Sequence, residues 1–199
     1  MSNAVGQERI SKVVGYKLTK GDFSERTPNL PQSIAVLAEA NEANQAALNT
    51  DPIEITSAQQ AGTLFGFGSP AYHIARILYP IFGGGIGGIP TVFYPQAKAS
   101  GATQKVLNVA ATGTATKNAT HTLIIAGRGS VDGELYDVNI ASGDDPAVIS
   151  QKIADTVNAV LGAPVIGATV TGPDAATLTS KWAGLTAQDL SVTVDTNNA

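Results

Sequence analysis

No cysteine occurs among the 199 residues, which excludes a disulfide framework, thiol catalysis and thiolate metal sites while leaving the redox compartment open. Charge is scarce as well: Asp, Glu, Lys and Arg make up 14% of the chain, against about 25% in an average globular protein. There is no excess of positive charge, since 12 Lys and Arg face 16 Asp and Glu for a net charge of -4. Without a basic field, no nucleic-acid partner is expected. Long apolar runs are missing too. The longest, Ile74 to Ile89, is interrupted by Tyr79, Pro80 and five glycines and is too short to cross a bilayer, so no membrane partner is expected. The segment Met1 to Val14 has no apolar stretch behind a basic end, and no secretory signal is expected there. A soluble chain of this length buries roughly 70% of its unfolded surface, in one large domain or two small ones.

Ala, Thr, Gly and Asn fill the places that charges vacate. Such a surface tolerates close approach by another protein, because fewer ions lose their water on contact. The same composition also suits a β-rich, loop-rich architecture with no partner at all, and composition does not separate the two.

Residues 1–31 carry many of the charges and no sustained period, and read as an extended N-terminal arm with Ile10 to Leu18 as its most strand-like piece. Ser33 to Ala38 is a continuous apolar run of strand length, of the kind buried on both faces of a sheet. Ile53 to Thr56 reads as a short strand. It runs into Ser57-Ala58-Gln59-Gln60, whose Ser and Gln three residues apart predict a capping box and a helix ending at Gly66. Ser69-Pro70 opens a second helix with Ile74, Ile77 and Leu78 on its apolar face, and Pro80 ends it. After the glycines 83–88 comes a second apolar strand at Ile89 to Pro95. Strand, helices, turn and strand make a crossover unit of α/β type.

Residues 98–105 read as a polar linker. Beyond them Val106 to Val109, Thr120 to Gly127 and Leu135 to Ile140 are short strands. Asp144-Asp145-Pro146 begins a helix whose Ile149, Ile153, Val157, Val160 and Leu161 form one stripe, closed by Gly162. Strands at Val165 to Val170, Thr177 towards Trp182, and Leu190 to Val194 complete the chain. The expected fold class is therefore α+β: an α/β crossover unit over 32–97, then a β-rich α+β domain with one amphipathic helix over 106–199.

No catalytic or ligand constellation emerges. A phosphate cradle needs a strand before its glycines and a helix N-terminus after them, whereas Gly83 to Gly88 has a helix before and a strand after. His73 and His121 have no Asp or Glu within four residues and read as structural histidines rather than metal ligands. No Gly-x-Ser-x-Gly elbow marks a hydrolase. Gly68-Ser69-Pro70 is a helix start, and Asp144-Asp145 serve as cap and dipole partners. Asn118-Ala119-Thr120 fits a glycosylation acceptor, with meaning only in a secreted eukaryotic protein. Trp182 reads as core, with a binding-site aromatic as the other option. No catalytic, cofactor-binding or metal residue is assigned, no cofactor is expected, and the chain is not expected to be an enzyme.

The ordered set of motifs resembles the contractile phage tail sheath proteins, in particular Mu-like sheaths. The resemblance begins with the strand Ile34-Ala35-Val36-Leu37 and the passage Leu48-Asn49-Thr50-Asp51-Pro52-Ile53-Glu54-Ile55-Thr56-Ser57. It continues through the Ala-rich helix ending in Phe65-Gly66, the helix Ala71 to Tyr79, the turn Gly83 to Gly88 and the strand Thr91 to Tyr94. The second module is similar at Leu123 to Gly127, Gly143-Asp144 and Pro164-Val165, so that most of residues 33–195 is covered. It departs from the family at Trp182 to Leu190, where the family reads Lys-Gly-x-x-Gly-Asn-Asp-Ile.

The resemblance implies a non-enzymatic structural subunit of a virion tail, the outer N-terminal portion of a longer sheath protein whose C-terminal domain contacts the tail tube. It implies self-association into hexameric rings, with tube and baseplate as further partners through regions beyond this chain, and assembly in the bacterial host. Residues 10–18 would be the arm that adds a strand to a neighbour, or else a disordered terminus. Bacteriocin and secretion-system sheaths share the architecture. A carbohydrate- or receptor-binding adhesion module is the alternative of another class.

Overall fold

Two apolar clusters in sequence become two cores in the fold. The computed structural model describes residues 32–82, 85–86, 88–127, 134–170 and 175–196. The expected arm at 1–31, with Ile10 to Leu18, lies outside the described residues. The residues from Ser33 onward form a single compact unit.

The first core is built on a three-stranded mixed sheet. Strand β1 (Ile34–Glu39) pairs in parallel with β3 (Thr91–Gln96), in register Ile34 to Thr91 and Leu37 to Tyr94, and the two-residue β2 (Ile53–Glu54) adds antiparallel to β3. The chain crosses from β1 to β3 through two helices, α1 (Ala58–Phe65) and α2 (Pro70–Leu78), as a parallel pair requires. Both start on the expected serines: Ser57 accepts from the Gln60 amide and Ser69 from the Tyr72 amide, with Pro70 in the first turn. Only half of the predicted capping box forms. The Gln60 side chain reaches past Ser57 to accept from the Thr56 amide at 2.9 Å and to donate to the Glu54 carbonyl. It thereby ties α1 to β2. Phe65 stacks on Phe93 at 5.9 Å between ring centres, and Val36, Ala38, Ile55, Ala61, Ala71 and Ala75 complete this core.

The second core lies between two antiparallel three-stranded sheets. One has the order β4 (Gln104–Ala110), β8 (Ala175–Ala183), β7 (Val165–Val170). The other has the order β6 (Glu134–Ile140), β5 (Ala119–Ala126), β9 (Ser191–Asp195). Helix α3 (Pro146–Asn158) contributes Ile149, Ile153 and Val157 to the same cluster as Leu123, Val138, Leu178 and Trp182. Strand β4 begins at Gln104, inside the stretch read as linker, because Gln104 and Lys105 bond to Ser180 on β8.

With helices and three small mixed or antiparallel sheets, the fold is α+β. Three local expectations are corrected, the first being Ile77, which α2 leaves exposed while Ala71, His73 and Ala75 form its buried face. Strand β1 is not buried on both faces: Val36 and Ala38 point inward, while Ala35 and Leu37 point to solvent. Helix α3 ends at Asn158, four residues before Gly162. Val160 and Leu161 therefore leave the stripe and are exposed. A 3₁₀ turn at Glu42–Ala47 and a four-residue helix α4 (Leu185–Gln188) have no counterpart in the sequence reading.

Candidate interaction surface

Most of the side chains singled out in the sequence have structural partners in the fold. Ser69 is fully buried, its hydroxyl oxygen accepting from the Tyr72 amide at 3.1 Å. His73 is buried in the first core with its ring edge-on to Tyr72 at 5.6 Å. His121 lies on β5 in the second module. Asp145 caps α3, accepting from the Val148 amide at 2.8 Å. The Asp144 carboxylate accepts from Lys152 and from the Ala141 amide, and these bonds, Lys152 first, hold its pKa below the ordinary carboxylate value. Asn118 accepts from the Ser142 amide at 2.8 Å. Trp182 is core, 2% exposed, and its indole N–H donates to Thr186. Of the glycine cluster, Gly83, Gly84 and Gly87 lie outside the described residues. Gly85 sits where a Cβ would come 2.7 Å from the Leu78 carbonyl oxygen, so the chain folds back on the end of α2 as a turn. Among the described residues there is no cluster of three metal-binding side chains.

What the fold leaves open is a surface. Period-two alternation sends Val36, Ala38 and Phe93 towards α1 and α2, and the same alternation sends Ala35, Leu37, Val92 and Tyr94 to the other side. Because β1 and β3 run in register, Ala35 pairs with Val92 and Leu37 with Tyr94, making one apolar stripe. Leu37 is 68% exposed. Among the described residues β1 pairs with β3 alone, so its other edge presents the main-chain donors and acceptors of its alternate residues, Ala35, Leu37 and Glu39. The stripe is flanked by Glu39, Glu54 and Gln96 rather than by cations.

A second feature is the junction between the modules. Lys181 on β8 donates to the carbonyl of Phe67, after α1, and to that of Leu161 at 2.9 Å. Burial pushes its pKa down, with nearby Glu134 acting the other way. The Glu39 carboxylate accepts from Thr186 at 2.6 Å, and Arg76 on α2 pairs with Glu134 at the start of β6, which raises the arginine's pKa. Gly68 adopts φ +83° with its Cβ position 2.1 Å from the Ala163 carbonyl oxygen. Only glycine fits at that closeness. Thr186 lies on the short helix that the sequence reading did not find, and no periodic signal in four residues marks it.

No protein-family model matches the chain, and no curated protein matches it. Among the described residues no helix is long and apolar enough to cross a membrane.

Proposed function

We propose that this chain is the outer portion of a non-enzymatic, self-associating structural subunit of a contractile tail sheath, working in the virion tail or a related contractile machine. The observation that carries the reading is the one-sided sheet. Strand β1 offers both an edge and an apolar face, bearing Leu37 and Tyr94, in a chain poor in charge. An added strand from a neighbour gains main-chain hydrogen bonds along such an edge and buries the stripe. Those bonds lie along one strand, so the bodies can turn about it while staying joined, which is what a contracting lattice needs. The order of motifs from Ile34 to Tyr94 supports the same reading. No cofactor takes part, and tube and baseplate contacts would come from regions beyond this chain.

The adhesion-module alternative loses its main support, since Trp182 faces the core and not a ligand. Negative-stain electron microscopy of the complete parent reading frame's product tests the proposal. Striated hollow tubes are expected, and dispersed particles at assembly concentrations overturn it.

A further inference from the structure

Strand β7 is a sheet edge whose sequence carries none of the usual guards. Among the described residues it pairs with β8 alone, in unbroken register from Val165 to Val170. Those six residues include no charge and no proline. Such edges are ordinarily kept from pairing with another chain by lysines, prolines or bulges. A short, uncharged, β-prone segment is also the kind that stacks on its own copies.

A side chain stands at that edge instead. The Lys181 amide donates to the Pro164 carbonyl at 2.9 Å, so the main-chain groups of residues 164, 166 and 168 turn towards β8 and those of Gly167 turn outward. Asn158 takes both outward groups. The Gly167 amide donates to Asn158 Oδ1 at 2.9 Å, and the Gly167 carbonyl accepts from Asn158 Nδ2 at 2.8 Å. In an antiparallel ladder a residue exchanges the same two bonds with the residue facing it. The side-chain amide therefore occupies the place of the next strand's backbone, and Gly167 is buried although it lies on an edge.

The packing explains how a helix residue reaches the strand. Asn158 is the last residue of α3, one turn after Ala154 and on the same helix face. A Cβ on Gly167 would come 2.8 Å from the Ala154 Cα, so the missing side chain lets the last turn of α3 down onto β7. Asn158 itself is exposed, and the core beside it is made by Ile153, Val157 and Val165. We infer that Asn158 is an autoinhibitory contact, which fills Gly167 so that a second copy of this chain cannot add its own β7 there. A second copy is the occupant that fits, because an antiparallel edge is its own complement: across a two-fold axis the amide and carbonyl of one Gly167 meet the carbonyl and amide of the other. The exposed neighbours Ile166 and Ala168 bring no charge to oppose that pairing. The inference goes beyond the sheath reading, because it concerns an edge that the fold closes, whereas that reading rests on the open edge of β1.

Sedimentation velocity of the full 199-residue chain, run over a series of concentrations, tests the contact. Asn158→Ala is expected to raise the dimer association constant about tenfold or more over wild type, since each copy then offers two main-chain groups to the other. Asn158→Ala combined with Ala168→Lys is expected to return to the wild-type constant, because the added charge guards the edge without restoring either bond. A loss of stability alone does not produce that reversal. Equal constants for Asn158→Ala and wild type overturn the inference and leave Asn158 a structural tie. Association that Ala168→Lys leaves in place runs through another surface and overturns it too. If Asn158→Ala loses its far-ultraviolet circular dichroism, Asn158→Ser is read in the same way, and loss of fold in both overturns the inference, since the contact then holds the fold rather than guards an edge. Tube formation by the parent product bears on the sheath reading alone, so the two fail separately.

Discussion

The two halves of this chain solve the same problem with opposite completeness. Residues 106–196 close two sheets and a helix over one another, so that Leu123, Leu178, Val157 and Trp182 all reach the interior. Among the described residues, α1 and α2 cover one face of the first sheet and leave Leu37 and Tyr94 on the other exposed. The closed half supplies its own partners. The open half leaves an apolar stripe exposed, and the difference separates residues that hold the fold from residues that do not.

Breaking the closed half should have the largest effect. Leu178→Ala removes a fully buried side chain between β8 and α3 and is expected to cost about 3 kcal/mol, a drop of roughly 6–12 °C in Tm for a chain of this size, read by calorimetry. Next comes the seam. Gly68→Ala places a methyl against the Ala163 carbonyl at a positive φ and is expected to cost about 2–3 kcal/mol. If the halves were independent, one melting transition would shift and a second would stay, whereas a shared seam moves both together.

Lys181→Met should lose about 1–2 kcal/mol, since two carbonyls, from Phe67 and Leu161, forfeit a charged donor. Its pH dependence sharpens the test. Burial holds the folded pKa of Lys181 below its ordinary 10.5, so just below that pH the unfolded chain binds a proton that the folded one has released. Wild-type stability therefore rises with pH through that window. The Met variant should lack this rise in urea titrations between neutral and alkaline pH. The smallest effect on stability belongs to Leu37→Ser, expected within about 0.5 kcal/mol because the side chain is exposed. The same change should abolish tube formation by the parent product, seen in the microscope, and a Tm loss comparable to that of Leu178→Ala would show that the open face is not open.

Much of this was legible in residues. Ser57, Ser69-Pro70 and Asp145-Pro146 announce helix starts by a local mechanism, a side-chain oxygen meeting a free amide, and α1, α2 and α3 start there. The alternation in Leu135 to Ile140 likewise places β6. The run Ile34 to Ala38 misled because an apolar run looks the same whether its second face meets helices or solvent; only the number of covering elements decides, and both helices went to one side. Helix α3 stops early because its stripe continues in sequence past the point where Ala163 and Val165 must turn into β7. The seam was invisible: Gly68 against Ala163, and Glu39 against Thr186, are contacts about a hundred residues or more apart with no local signature. The open face and the closed edge of β7, the two features on which the proposals rest, are likewise products of tertiary arrangement.

The chain contains one tryptophan, and the fold places it at the seam. The Trp182 indole N–H donates to Thr186, whose hydroxyl donates in turn to Glu39 on β1. Light absorbed at the red edge of the protein spectrum is thus taken up by a single fluorophore joined by two hydrogen bonds to the opposite module. If the modules part, Thr186 loses Glu39 and the indole meets water, and its emission moves to longer wavelength. The protein carries an intrinsic optical gauge of whether its halves are docked, readable without label in solution.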